Sequence, residues 1–236
     1  ILDFGEKGFP GILVETIAIF INNLAAPANT KVFSLTHRLH LTQPQAYIFD
    51  PELPYWIIYR NQLFDSVCRK LDFDVFEVFR DRQLTNKLLS SSGELRVLKS
   101  RNLSDDGKAI LDIPGYDSYI SYAAAKPLSV FQYLDAPNVY LTPNMTYKPR
   151  MMKKPPHCVV NGSLAILIPK GGIVPAEKQL AYFSSEEYRA FYQIARNFQT
   201  RSLNVDACSV FFYGLLRDEA KPAPEKFDTS VQLSFL

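Results

Sequence analysis

The chain has 236 residues, of which 47% are hydrophobic and 13% aromatic, enough to bury the core of one large domain or two small ones. The net charge of +2 at pH 7 is too small to indicate a nucleic-acid partner by itself, and the longest apolar runs fall far short of the roughly 20 residues of a membrane span. Cys68, Cys158 and Cys208 lie far apart, which excludes a disulfide framework or a cysteine zinc site and fits a reducing cytoplasm.

Residues 1–24 predict two strands joined by a loop, because two apolar, β-branched runs flank a stretch rich in glycine and proline. The second run is apolar on both faces from Ile17 onward, which suits a sheet that is covered on both sides. The sequence opens on this apolar stretch at Ile1 without a charged leader, so we expect a cut inside a longer protein.

Further along, Pro54 begins an apolar pattern at helical spacing that extends to Leu71 and predicts an amphipathic helix. Strand patterns lie on both sides of it. They occupy residues 31–49 (two short strands), 74–79, 95–98, 134–142 and 159–168.

The clearest helix start is the run 184–187, where a serine N-cap and Glu187 three positions later predict a capping box. An apolar stripe from Tyr188 to Phe198 follows, and residues 208–215 predict a last strand. Strands outnumber helices and are mostly not separated by crossover helices. The sequence therefore predicts an α+β fold with a mixed or antiparallel sheet.

Methyl-transfer chemistry on adenine is not expected of these residues alone. The glycines of residues 3–8 precede no helix pattern, and we interpret them as a loop between strands. The runs 52–55 and 154–157 each lack the polar first residue or the final aromatic of an Asn-Pro-Pro-Tyr type turn. The sequence therefore predicts no catalytic residue.

Two other groups of side chains are weaker candidates for a catalytic or metal site. His37 and His40 have no acid or cysteine nearby to complete a metal-ligand set. Asp112, Asp117 and Lys126 lack the acid-x-lysine spacing of a nuclease strand. We therefore expect no metal.

Positive charge is unevenly distributed. Between Ala136 and Ala176 there is no acidic residue, and a second acid-free stretch covers residues 188–205. The first stretch contains the cations Lys148, Arg150, Lys153, Lys154 and Lys170. Such stretches are typical of phosphate-binding surfaces, although Pro-rich solvated loops produce them as well.

Several longer strings carry a resemblance to a known family. They are residues 79–86, 97–103, 144–150, 160–169, 182–189 and 200–206. Together they resemble the C-terminal target-recognition region of adenine-specific N6 DNA methyltransferases from type II restriction-modification systems. Residues 2–17 look like the last part of the catalytic domain of such an enzyme.

The resemblance implies an organisation and a set of partners. Residues 1–24 would be the terminal strands of a truncated methyltransferase catalytic domain, and residues 25–236 a DNA target-recognition domain similar to those of type I specificity subunits. The partners would be double-stranded DNA and the catalytic domain of the same polypeptide. S-adenosylmethionine is expected as a cofactor of the full-length enzyme and not of this chain.

Base reading requires Arg or Lys for guanine edges and Asn or Gln for adenine edges. Mixtures of these types lie beside predicted strand ends, and for each residue a solvated loop is an equally good interpretation. The base-reading candidates are Arg80, Arg82, Gln83, Asn86, Lys99, Arg101 and Asn102. The phosphate-binding candidates are Lys148, Arg150, Lys153 and Lys154, with Asn144 and Tyr147 as further donors.

Two other groups favour structural roles. Asn161 and Gly162 precede a buried-looking strand and predict a turn. Arg201, Asn204 and Asp206 favour an internal polar network over phosphate binding. An alternative function for the whole chain is a protein-interaction domain, in which the aromatic residues pack a partner subunit and the basic stretches only aid solubility.

Overall fold

The structure is a computed structural model that describes residues 1–12, 14–22, 29–199, 203–218 and the strand at 234–235. Within these residues the chain forms an α+β fold of several mostly antiparallel sheets and a few helices. The strands are β1 (Leu2–Gly5), β2 (Thr16–Ala18), β3 (Asn29–Ser34), β4 (Leu39–Pro44), β5 (Leu71–Asp72), β6 (Phe76–Phe79), β7 (Leu95–Leu98), β8 (Ser118–Ile120), β9 (Tyr140–Pro143), β10 (Met152–Lys153), β11 (Cys158–Val160), β12 (Leu164–Pro169), β13 (Leu215–Leu216) and β14 (Ser234–Phe235). The helices are α1 (Gln45–Ile48), α2 (Gln62–Lys70), α3 (Tyr122–Ala125), α4 (Glu177–Tyr182) and α5 (Glu186–Ala195).

The first sheet has the strand order β14-β4-β3-β1-β2. Strands β1 and β2 pair antiparallel around the glycine loop, which confirms the strand-loop-strand prediction for the start of the chain. Strand β1 also pairs parallel with β3, and the buried Asp3 carboxylate accepts hydrogen bonds from Ser34 and Tyr59. The sheet therefore continues across the domain boundary predicted near residue 24, which itself lies outside the described residues.

A four-stranded sheet, in the order β10-β9-β12-β6, separates two hydrophobic cores. Along β12, Leu164 and Ile166 belong to one core, and Ala165 and Leu167 belong to the other. Successive side chains of a strand point to opposite faces, so a strand buried on both faces is a continuous apolar run. This explains why the sequence of this segment lacks a polar alternation.

The smaller core is closed by a three-stranded sheet in the order β11-β7-β8. Strand β7 pairs parallel with β11 and antiparallel with β8. The predicted single strand over 159–168 is therefore two strands in two different sheets, β11 and β12. Between them Asn161 and Gly162 form a turn, as the sequence predicts.

Helices α2 and α5 pack against each other beside the larger core, where Phe64 stacks on Phe191 with a centroid distance of 5.1 Å. Helix α2 is shorter than predicted: it begins after Asn61, whose side chain caps Phe64 N. The buried residues 57–59 precede it without helical structure. Their burial, not a helix, accounts for the apolar spacing.

The start of α5 differs from the prediction by one residue. Ser185, and not Ser184, is the N-cap, and its side chain accepts from Tyr188 N at 3.1 Å. Glu187 therefore completes no capping box. It instead accepts hydrogen bonds from Lys70 of α2 and from Tyr182.

Two predicted strands are shorter than expected, because part of each segment is turn or irregular structure. The segment predicted as a strand over 134–142 is extended only from Tyr140, and a 3₁₀ turn at Ser129–Tyr133 lies just before it. The segment 208–215 contains a 3₁₀ turn at Ser209–Phe212 and only the two-residue strand β13. In both cases buried apolar side chains in a turn gave the strand-like pattern. None of the described helices is long and apolar enough to cross a membrane.

Candidate nucleic-acid interface

Loops that follow neighbouring strands meet at one end of the second and third sheets. Residues 80–83 follow β6, residues 99–102 follow β7, residues 144–150 follow β9, and residues 161–163 join β11 to β12. These four segments are called the turn cluster below. They contain ten of the sequence-predicted DNA-contact residues, three of them buried. The ten are Arg80, Arg82, Gln83, Lys99, Arg101, Tyr147 and Lys148, and the buried Asn102, Asn144 and Arg150.

The segments of the turn cluster are in direct contact. Asn161 N donates to Leu98 O at 3.1 Å, and Ser100 N donates to Ser163 Oγ at 2.9 Å. Gly162 lies so close to the 80–83 segment that a Cβ there would come within 2.7 Å of Asp81 O. A glycine is therefore required at this position for the two loops to pack.

Three arginines of the turn cluster have uncompensated charge. Among the residues that the structure describes, Arg80, Arg82 and Arg101 form no ion pair with a carboxylate. Arg82 and Arg101 are exposed, and Arg80 is half-buried. Guanidinium groups in this state are available for phosphate or base-edge contacts.

Two cations of this cluster lie on one aromatic ring. The Arg101 guanidinium carbon is 4.7 Å from the centroid of Tyr116, and Lys99 Nζ is 3.9 Å from it. Lys99 Nζ also donates to Ser118 Oγ at 2.9 Å and to Tyr116 O, and burial lowers its pKa. Lys99 is thus partly engaged within the protein, whereas the donors of Arg101 make no hydrogen bond or ion pair with any residue that the structure describes. Sequence reasoning missed Tyr116, because it lies 15 residues beyond Arg101 in the sequence.

Gln83 and Asn86 are exposed. The Gln83 side-chain oxygen accepts from Ser129 N at 2.6 Å, which leaves its amide donors for a ligand. Asn86 begins a 3₁₀ turn that lies after the 80–83 segment. Their contact with DNA stays a prediction.

The DNA contacts predicted for Asn102 and Asn144 are corrected to internal roles. Asn102 has no exposed surface, and its amide donates to Asp117 at 2.6 Å and to Leu111 O at 3.0 Å. Asn144 is 3% exposed, donates to Gly162 O at 3.0 Å and accepts from Val205 N at 3.0 Å. Both amides hold the turn cluster together from inside.

The phosphate contacts predicted for Arg150 and Lys154 are corrected for the same reason. Arg150 Nη2 donates to Ser100 O at 3.0 Å and to Leu103 O at 3.2 Å, and Lys154 Nζ donates to Leu134 O at 2.7 Å. Both side chains are buried, and burial lowers the pKa of each. Their donors satisfy backbone carbonyls that would otherwise be buried without a partner.

The three remaining phosphate candidates are exposed but lie in different places. Lys148 belongs to the turn cluster and forms an ion pair with Asp105 at 2.6 Å. Tyr147, 48% exposed, belongs to the same segment. The register of β10 against β9 places Lys153 opposite Tyr140, at the other end of β9 and roughly 13 Å along the strand from Asn144. The basic Pro-rich stretch is therefore not one continuous surface.

The sites weighed for metal-dependent chemistry have other partners. Asp112 and Asp117 both form ion pairs with Arg96, at 2.6 Å and 3.0 Å, so both carboxylates have a partner within the protein. Burial alone would raise the pKa of Asp117, but hydrogen bonds from Ile113 N and Asn102, together with Arg96, hold it below its usual value. No group of three or more metal-ligating side chains occurs in the described part of the chain.

Of the predicted network of Arg201, Asn204 and Asp206, Arg201 lies outside the described residues. Asn204 accepts from Asn144 through its side chain, and Asp206 accepts from Ser209 N at 2.8 Å. Both side chains therefore bond within the protein, but both residues are exposed, and these bonds reach the turn cluster and the local turn at Ser209 and do not link the helix to the last strand. The segment they belong to packs against the turn cluster.

A separate apolar surface lies on the first sheet. Phe20 and Ile21, just after β2, are 80% and 82% exposed, and Ile17 and Ile19 are each 43% exposed. Ile19, Phe20 and Ile21 border a groove of about 950 Å³ that Trp56 also lines. The expectation that the run from Ile17 onward is covered on both faces is therefore wrong for this chain, because its side chains are exposed. Clusters of exposed apolar side chains are typical of surfaces that contact another protein or domain.

The chain was also compared with known proteins. No protein-family model matches it, and no curated protein does either.

Proposed function

We propose that this chain recognises a specific DNA sequence as the C-terminal part of a site-specific adenine-N6 DNA methyltransferase of a restriction-modification system. The observation that supports it best is the turn cluster, where Arg80, Arg82 and Arg101 are uncompensated within the described residues. Short turns at strand ends can enter a DNA groove, and arginine is the commonest reader of guanine edges.

The way the turn cluster is built supports sequence-specific recognition of DNA more than it supports non-specific binding. The buried Asn144 and Arg150 connect three of its four segments, through Gly162 and Ser100, and Gly162 packs on Asp81 of the fourth. The buried Asn102 fixes the 99–102 turn from inside, so the exposed arginines stand on a preorganised base. Preorganised side chains lose less entropy on binding and keep the geometry that a bidentate contact requires. Solubilising residues need no such support.

Within this proposal the catalytic steps belong to a different domain. A catalytic domain of the same polypeptide would bind S-adenosylmethionine and flip the adenine, while this chain grips the duplex. The exposed apolar surface around Phe20 and Ile21 offers a place for that domain to pack.

The same apolar surface favours the second candidate, a protein-interaction domain of a restriction-modification complex. The two candidate functions differ in whether the chain binds duplex DNA. A DNA reader binds duplexes with an affinity that falls steeply with salt, because each neutralised phosphate adds about 0.9 to the slope of log affinity against log salt.

The test is a titration of the purified chain with a fluorescent duplex at several salt concentrations, read by anisotropy. We expect saturable binding at low salt with a slope of about 3 or more, which corresponds to several phosphate contacts. Absence of saturable duplex binding at low salt would contradict DNA recognition and support the protein-interaction domain.

A further inference from the structure

The turn that presents Arg101 is fixed by a chain of hydrogen-bonded side chains, of which Asn102 is fully buried. Ser100–Asn102 forms a single 3₁₀ turn at the end of β7. Its middle residue, Arg101, is exposed, and its last residue, Asn102, is completely buried. An exposed arginine therefore stands directly beside an internal anchor.

Each polar atom of the Asn102 side chain has a partner. Asn102 Oδ1 accepts from Lys99 N at 3.0 Å, which closes the turn. Asn102 Nδ2 donates to Leu111 O at 3.0 Å and to Asp117 Oδ1 at 2.6 Å. The other oxygen of Asp117 accepts from Arg96 Nη2 at 3.0 Å and from Ile113 N at 3.0 Å.

The same network places the ring beside which Arg101 lies. Tyr116 immediately precedes Asp117, so the segment that supports Asn102 also carries the ring under the Arg101 guanidinium. On the opposite side, Arg150 Nη2 donates to Ser100 O, which holds the turn to the neighbouring loop. The backbone and the side chain of Arg101 are thus constrained by different groups.

From this geometry we infer that Asn102 and Asp117 are positioning residues for base reading by Arg101. The inference rests on the proposed function and adds a specificity mechanism to it. Neither residue touches DNA. A bidentate arginine contact depends on the orientation of the guanidinium, whereas attraction to phosphates depends mainly on charge. Loosening the turn should therefore remove base preference and leave non-specific affinity nearly unchanged.

The first variant is Asn102→Asp, which sets a second carboxylate against Asp117 at a position where the native distance is 2.6 Å. Repulsion between the carboxylates should open the turn. The purified chain is incubated with duplexes whose centre is fully randomised, and the bound fraction is sequenced. We expect loss of the enrichment at one position, which for one bidentate contact amounts to about 5- to 150-fold.

The second variant, Asn102→Asp with Asp117→Asn, exchanges the amide and the carboxylate. The new amide donates to the new carboxylate, which still accepts from Lys99 N, and Arg96 still covers Leu111 O at 2.8 Å. We expect the base preference to return in part, because one oxygen of the new carboxylate faces Leu111 O, to which the native amide donates at 3.0 Å. Rescue by exchange separates a positional role of this pair from a general loss of folding, because the double variant keeps the shape and the total charge of the pair.

Asn197→Asp is the matched control. The Asn197 amide also bridges backbone groups, with Ile58 N at 2.8 Å and Trp56 O at 2.8 Å, but it lies outside the turn cluster. We expect it to lower thermal stability without changing base preference. The salt slope on a random duplex should be the same in all of these variants.

The outcomes distinguish this inference from the proposed function. If Arg101→Ala removes a base preference that Asn102→Asp keeps, or that the double variant fails to restore, the positioning role is wrong and DNA reading stands. If the native chain shows neither salt-dependent duplex binding nor enrichment from the random pool, the proposed function itself fails.

Discussion

Arg82 is held at the surface by the residue before it. Asp81 is buried, and its carboxylate accepts from Gln83 N at 3.3 Å and from Leu84 N at 2.8 Å, which folds the loop back on itself. Short acidic side chains favour such turns because they bond the backbone two or three residues on. The fixed loop leaves the Arg82 side chain exposed.

We predict that Arg82→Ala relaxes base preference at one position of the recognised sequence. Loss of a bidentate contact should reduce discrimination by about 1–3 kcal/mol. Competition between duplexes that differ at single positions measures this in the purified chain. Arg38→Ala is the control, since Arg38 is exposed on the β3–β4 turn, away from the turn cluster. Unchanged preference in alanine variants of Arg80, Arg82, Gln83 and Arg101 would move base reading elsewhere.

Residues of the same type differ greatly in their exposure to solvent in this molecule. Lys153 is exposed, whereas the adjacent Lys154 is 4% exposed and donates to two carbonyls. The sequence treats the two alike, because the carbonyls that Lys154 reaches include that of Leu134, twenty residues earlier. Burial of a cation depends on such distant acceptors. For this reason the loops of the site were predictable, and the division between exposed and internal cations was not.

At the scale of single elements, the start of α5 tests how a helix is capped. Ser185 accepts from Tyr188 N at 3.1 Å, while Ser184 donates to Asp106 O at 2.9 Å outside the helix. We predict that Ser185→Ala lowers the free energy of unfolding by about 1 kcal/mol, the usual contribution of a serine N-cap. Ser184→Ala should have a smaller effect. Urea denaturation of both variants measures the difference, and a larger loss for Ser184→Ala would favour the other cap.

Glu187 connects α5 to α2 through Lys70. The hydrogen bond from Lys70, with that from Tyr182, lowers the pKa of Glu187 below its usual value of 4.5. A carboxylate with a lowered pKa contributes stability that is fully present above its unfolded pKa and is lost as pH falls through its folded pKa.

We therefore predict that Glu187→Gln reduces stability at pH 7 by about 0.5–1 kcal/mol, the range of a partly exposed ion pair. The gap between the variant and the native chain should narrow as pH falls below 4.5. Thermal or urea unfolding over a pH series measures both the stability difference at pH 7 and its change with pH. Glu186→Gln is the control on the same helix turn, since Glu186 is 93% exposed and lies 3.8 Å from Arg189. An equal pH response in both variants would exclude the Lys70 contact as its cause.

Elements were predictable where a periodic pattern and local structure agree. The strands β3, β4, β6 and β7 were all expected, because each is a short apolar or alternating run bounded by polar residues. The pattern was misleading at residues 57–59 and 209–212, which are buried in irregular or 3₁₀ structure. An apolar run indicates that a segment is buried, but it does not indicate which backbone hydrogen bonds the segment makes. Those depend on partners far away in the sequence.

At the scale of the whole molecule, the exposed cations that we assign to DNA lie at two places. The turn cluster carries one group, and Lys153 lies at the other end of β9. A duplex bound at the turn cluster would have to extend along the sheet to reach Lys153. The salt response of single variants reports whether it does.

We predict that Lys153→Ala weakens binding to all duplexes by similar factors and reduces the salt slope by about 1, as expected for one phosphate contact. Its stability should change by less than about 0.5 kcal/mol. Lys154→Ala is the internal comparison: it should cost about 1–3 kcal/mol of stability, because it leaves the buried Leu134 carbonyl without its donor. If Lys153→Ala affected one sequence alone, with an unchanged slope, Lys153 would be a base reader.

The four segments of the turn cluster lie between residue 80 and residue 163 of the sequence. Strands β7 to β11, which belong to two different sheets, separate them along the chain. A change of sequence preference by exchange of a block shorter than residues 80–163 between related proteins would therefore import some of these loops without the neighbours they pack on. Gly162 against Asp81 and Arg150 against Ser100 are the contacts such an exchange would mismatch. New preferences are more accessible through single exposed positions, such as 82 and 101, on an unchanged frame. Libraries restricted to those side chains should keep the fold while they sample different base contacts.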